Sequence, residues 1–213
     1  MNKNKAIAIG LVSSFLGINF LFNAAPAFAH HPNGSQIPST FLDGFLSGIG
    51  HPVIGIDHLV FVIAIGLLAA LSNRWGLIIP TAFATATIFG TVIHLQSIDL
   101  PAPELIISAS VLVIGVFLAK EHHTNPVLLA VLAAIAGIFH GYAYGESIVG
   151  AETAALGAYL IGFAAIQLCI SAISFYLGRR LIGQPNKSSL LLRFAGFTIC
   201  GIGFAFVSNL VLG

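Results

Sequence analysis

Apolar runs longer than a soluble core needs recur along this chain, at residues 76–95, 104–120, 126–145, 153–178 and 190–212. Each is close to the roughly 20 residues that carry a helix across a bilayer. In hydrocarbon every backbone N–H and C=O must be satisfied within the segment, so helix is the structure expected for each run. Composition agrees, with 57% of residues hydrophobic and 7% charged, against roughly 25% charged in an average soluble domain. The expected fold class is an all-α membrane protein. A formal net charge of +1 argues against a nucleic-acid partner, because such partners call for a basic surface.

A further apolar stretch, residues 41–72, would run to roughly 48 Å as one straight helix, longer than a bilayer core of about 30 Å. Gly44, Gly48, Gly50, Pro52 and Gly55 offer the means to break it. The expectation is a short interfacial or re-entrant piece, then a helix from about Pro52, where a first-turn proline costs no hydrogen bond. With the five runs above this makes a six-transmembrane-helix bundle with a broken first helix.

The N-terminus reads as a signal peptide over residues 1–29. Lys3 and Lys5 supply a basic region, Ala6 to Phe22 an apolar one, and Ala27-Phe28-Ala29 a small-x-small cleavage site. An uncleaved anchor is the competing reading, although Ala6 to Phe22 is short for a span. Cutting after Ala29 would leave residues 30–50 as an extracytoplasmic segment with the re-entrant piece, and 51–213 as the permeation bundle. His30 would then be the first residue, offering amine and imidazole together, with His31 next. Cys169 and Cys200 lie in apolar runs and indicate no disulfide framework.

Orientation follows from charge. With the mature N-terminus outside, Arg74, Lys120, Arg179, Arg180 and Lys187 fall in loops facing the cytoplasm, and Arg193 lies just inside the last span. Asp43, Asp99, Glu104, Glu146 and Glu152 fall on the opposite side. The expected location is the bacterial inner membrane, with the lipid bilayer as surroundings and room for a homo-oligomer.

Chemistry concentrates in His51-Pro-Val-Ile-Gly-Ile-Asp57-His58, set at the start of an apolar run. Ionisable groups are expensive at membrane depth and mark sites by default. Imidazole with carboxylate suits a divalent transition metal. His51 and His58 would share a face if the helix continued between them. Asp57 points elsewhere, so it either ligates or orients an imidazole. His94 ends the next span, and His140, Tyr144 and Glu146 end the fourth, all at one expected depth near the outer surface. Taken alone, His94 is as well explained by packing, and Glu146 by solvation. His122 and His123 read as a polar loop. Gln167, Ser171 and Ser174 face an undefined environment in the fifth span, where small residues favour close packing.

Gly50-His-Pro-Val-Ile-Gly-Ile-Asp-His-Leu59, together with Phe139-His-Gly-Tyr-Ala-Tyr-Gly-Glu146, resembles the HupE/UreJ family of nickel and cobalt permeases. The resemblance covers essentially the whole chain. It implies function for His51, Asp57, His58 and His140, and a secondary permease that imports Ni²⁺ or Co²⁺. No prosthetic cofactor is expected and the chain is not expected to be an enzyme; with no phosphate-cradling motif of the P-loop type, no ATP hydrolysis is expected either. Where the family commonly has another His, this chain has Tyr144. The expected metal-handling set is His51, Asp57, His58, His140, His94, His30 and Glu146. An intramembrane zinc hydrolase built on the same cluster is the competing reading.

Overall fold

A computed structural model describes residues 37–72, 75–120, 124–182 and 188–212. The expected signal peptide, His30, His122, His123, Arg74 and Lys187 lie outside the described residues. Within them the chain forms seven helices and no strand: α1 (Phe41–Ile54), α2 (Ile56–Leu71), α3 (Ile78–Leu95), α4 (Pro103–Ala119), α5 (Pro126–Glu146), α6 (Thr153–Ile182) and α7 (Ser188–Leu212).

Local signals fix several of the boundaries. Thr40 and Asp43 form a capping box at the start of α1, the Thr40 hydroxyl accepting from the Asp43 N–H at 3.1 Å while the Asp43 carboxylate accepts from the Thr40 N–H at 3.3 Å. Asn125 caps α5 through the Val127 N–H at 2.9 Å, ahead of Pro126 in the first turn.

The first apolar stretch is broken, as its length demands, with α1 and α2 bent by 79°. The break falls at Gly55 rather than near Pro52. Pro52 is tolerated inside the last turn of α1, where it removes the N–H that would bond to the Gly48 carbonyl and weakens the turn that follows. The chain leaves the helix three residues later, at Gly55, with φ −70° and ψ 103°. Gly55 still donates to the His51 carbonyl at 3.0 Å, and its own carbonyl accepts from Leu59 at 2.9 Å. One residue therefore closes one helix and opens the next.

Glycines bring the helices together. Gly44 and Gly48 lay α1 directly on the α6 carbonyls of Ala155 and Tyr159. Gly137, Gly141 and Gly145 of α5 meet Phe83, Thr87 and His94 of α3 in the same order, so those two helices run parallel. Close approach of small residues is how membrane helices gain packing when lipid is as apolar as leucine. The main partner of α3 is α5 rather than the span that precedes it in the chain.

Four helices, α3, α5, α6 and α7, are long and apolar enough to cross a membrane, and the bent α1–α2 pair makes a fifth by length and composition. At 17 residues α4 is apolar but shorter, about 26 Å at 1.5 Å per residue. Large apolar side chains such as Phe89, Phe204 and Ile173 ring the outside, each more than half exposed. That surface is what lipid contact requires.

Candidate functional site

The break at Gly55 places two imidazoles in the protein interior. His51 ends α1 and His58 begins α2, and both are buried. Although the helix does not continue between them, their ring centroids are 5.6 Å apart. A side chain at Gly55 would put its Cβ 2.5 Å from the His58 ring, so it is the ring position that glycine permits.

Both imidazoles are held through Nδ1. Tyr159 donates its hydroxyl proton to the Tyr144 carbonyl at 2.8 Å, so its oxygen accepts from His51 Nδ1 at 3.1 Å, beside the Ser147 hydroxyl at 2.9 Å from the same nitrogen. His58 is oriented by a second run of hydrogen bonds. Ser110 donates to the Ile107 carbonyl at 2.6 Å and so accepts from His140 Nε2–H at 3.1 Å. His140 Nδ1 is then the acceptor for His58 Nδ1–H at 2.7 Å. In this tautomer set the lone pairs of His51 and His58 sit on Nε2. An imidazole whose other nitrogen is oriented by a hydrogen bond is the usual state of a metal ligand.

Asp57, half buried in the first turn of α2, accepts the His58 backbone N–H at 2.9 Å. Its Oδ1 stands 3.9 Å from His58 Nε2. A carboxylate facing an imidazole lone pair across this gap is an arrangement that a cation relieves. Tyr144 flanks both histidines, its ring 4.9 Å from His51 and 4.7 Å from His58, edge-on to both. The Tyr144 hydroxyl is fully buried and has no hydrogen-bond partner among the described residues. Phe61 and Phe83 close the far side, packing on the His140 ring at 4.7 and 5.4 Å.

His51, Asp57, His58 and His140 are thus brought together, and two other expected members are not. His94 packs on the ring of Tyr142 at 4.5 Å and against Gly145. Tyr142 is two residues from both His140 and Tyr144 and so occupies the opposite side of α5. The depth expected for His94 and its helix face are separate properties, and only the depth brings it near. Glu146 is exposed at the end of α5. Among the described residues no three His, Cys, Asp or Glu side chains are grouped to hold a metal ion as they stand.

Three residues that hold the imidazoles, Ser110, Ser147 and Tyr159, are not singled out by the motifs. For Tyr159 a signal exists: it shares a four-residue spacing with Phe163, Gln167 and Ser171, all buried, which marks one face of α6. For Ser110 and Ser147 none does, since serine is common in such helices for packing alone.

The fold and the site together define a multi-pass helical membrane protein that keeps oriented imidazoles and a carboxylate at a helix break. The chain belongs to the HupE/UreJ family, whose profile, described as HupE / UreJ protein, matches residues 18–206. It is 28% identical over 183 residues to Protein HupE of Rhizobium leguminosarum bv. viciae, covering 85% of this chain and 91% of that protein. No solved structure matches it.

Proposed function

We propose that this chain is a six-span secondary permease that admits a divalent transition metal, Ni²⁺ or Co²⁺, through the imidazole cluster at the α1–α2 break. The observation that carries the reading is the orientation of His51 and His58 through Nδ1, with Asp57 beside His58 Nε2. Nε2 of each ring and the carboxylate take the ion, and His140, with Ser110 behind it, holds His58 in place. Tyr144 offers an oxygen where the family commonly has a nitrogen. Glu146, at the exposed end of α5, attracts cations toward the mouth, and His30, if freed by cleavage, reaches the same side. Selectivity for nickel over copper cannot come from affinity alone, which follows the Irving–Williams order.

A permeant ion has to leave again, so a site of few donors suits transport better than a closed cage. The sixth span is α4, which places Lys120 with Arg179 and Arg180 on the cytoplasmic side and leaves the mature N-terminus outside. No ATP is required. At about 2.3 kcal/mol per charge per 100 mV, a divalent cation gains roughly 4.6 kcal/mol on entering a negative interior.

The test is radiolabelled Ni²⁺ uptake by cells that express the chain. His51→Ala and His58→Ala are expected to reduce uptake to background while the protein stays in the membrane. Full uptake by both variants would remove this cluster from the pathway.

A further inference from the structure

We infer that the carboxamide oxygen of Gln167 forms a second, oxygen-donor station for the divalent cation, level with His58 and inward of His51. The inference rests on the permease reading above and concerns the step after capture.

Gln167 lies mid-way along α6 and is 1% exposed. Its Oε1 is 3.4 Å from the Thr87 hydroxyl of α3, and its Nε2 has no hydrogen-bond partner among the described residues. Thr87 has one proton, however, and gives it to the Ala84 carbonyl at 2.8 Å. It has none left for an acceptor at 3.4 Å, whereas its oxygen lone pairs can accept. A half-turn of the amide resolves the conflict, since the two ends of a carboxamide are nearly equal in shape. Nε2–H then donates to Thr87, and the buried atom without a partner becomes Oε1, a carbonyl oxygen. An unsatisfied carbonyl in the apolar interior costs on the order of 1–3 kcal/mol; its lone pairs can ligate a divalent cation or accept from the waters bound to one.

Position supports the assignment. One turn earlier on α6, Phe163 packs on the Tyr144 ring at 5.2 Å, so Gln167 follows one turn inward of the ring that flanks both His51 and His58. One turn later, Ser171 donates to the Val62 carbonyl at 3.3 Å, and Val62 is itself one turn beyond His58 on α2. Gln167 thus stands level with His58 and two turns inward of Tyr159, which holds His51. Beyond it the same face of α6 continues with the buried Ser171 and Ser174 toward the end that carries Arg179 and Arg180. An ion leaving imidazole nitrogen would meet a weaker oxygen ligand next, and a descending series of sites is how conduction reconciles entry with release.

The test is the initial rate of Ni²⁺ entry into proteoliposomes, measured against external Ni²⁺ for the full chain and for Gln167→Met and Gln167→Glu. Methionine keeps the volume and loses the oxygen, and glutamate keeps the oxygen. Gln167→Met should lower the maximal rate about tenfold with the half-saturating concentration within about twofold, because release inward is slowed and capture is not. Gln167→Glu should stay within about threefold of the wild-type rate, and it carries the test alone if the methionine variant does not fold. A Gln167→Met rate equal to wild type, or a glutamate variant as slow as the methionine one, would overturn the station and leave the permease reading standing. Wild-type protein that moves no Ni²⁺ or Co²⁺ would overturn both.

Discussion

Tyr144 is the residue at which packing and chemistry are most easily separated. Its ring packs edge-on against two imidazoles, while its hydroxyl makes no hydrogen bond among the described residues. Tyr144→Phe therefore removes no internal hydrogen bond, and stability should change by less than about 1 kcal/mol. Ni²⁺ uptake should fall about tenfold if the phenol oxygen helps hold the ion, equivalent to ~1.4 kcal/mol. Thermal unfolding of purified protein alongside uptake checks both halves. Gly55→Ala makes the opposite trade. Its Cβ would press on the His58 ring at 2.5 Å, an overpacking that costs about 1–3 kcal/mol and turns the imidazole away from Asp57. Uptake should fall at least about tenfold, an effect that nearby Ile54→Ala, on the exposed side of α1, should not reproduce.

At the scale of helices, the long apolar runs were legible in the sequence because crossing a bilayer leaves little freedom in length. The expected spans 76–95, 104–120, 126–145, 153–178 and 190–212 lie within a few residues of α3 to α7. The break was legible from length and its position was not. Proline marks where a helix loses a hydrogen bond, but Gly55 marks where the chain can turn, and a sequence offering both does not rank them. His94 was misgrouped for a related reason: depth follows from counting along a span, whereas facing depends on which helix becomes the neighbour. That neighbour is α5, and the α3–α5 contact makes its own prediction. A Cβ at Gly141 would collide with the Thr87 carbonyl, where Thr91 also donates to the Gly141 carbonyl at 2.8 Å. Backbone cannot yield as a side chain can, so Gly141→Leu should destabilise the protein by about 3 kcal/mol or more. The expected readout is loss of a monodisperse peak in detergent at a temperature where wild type persists. The partners Ser110, Ser147 and Tyr159 were illegible to the motifs, because they reach the imidazoles from 30 to 108 residues away; the buried four-residue spacing on α6 marks Tyr159 but not the imidazole it holds.

For the whole molecule, the proposed function is movement of a dication down its electrical gradient. The central claim is tested most directly by flux into proteoliposomes that contain only the full chain, with a potassium diffusion potential, negative inside, and no nucleotide. The account predicts accumulation of Ni²⁺ or Co²⁺ that rises about two-thousandfold per 100 mV at equilibrium, and that disappears when the potential is collapsed or when His58→Ala replaces the wild type. Uptake no greater than in protein-free vesicles for Ni²⁺, Co²⁺ and Zn²⁺ alike, at any potential, would contradict it.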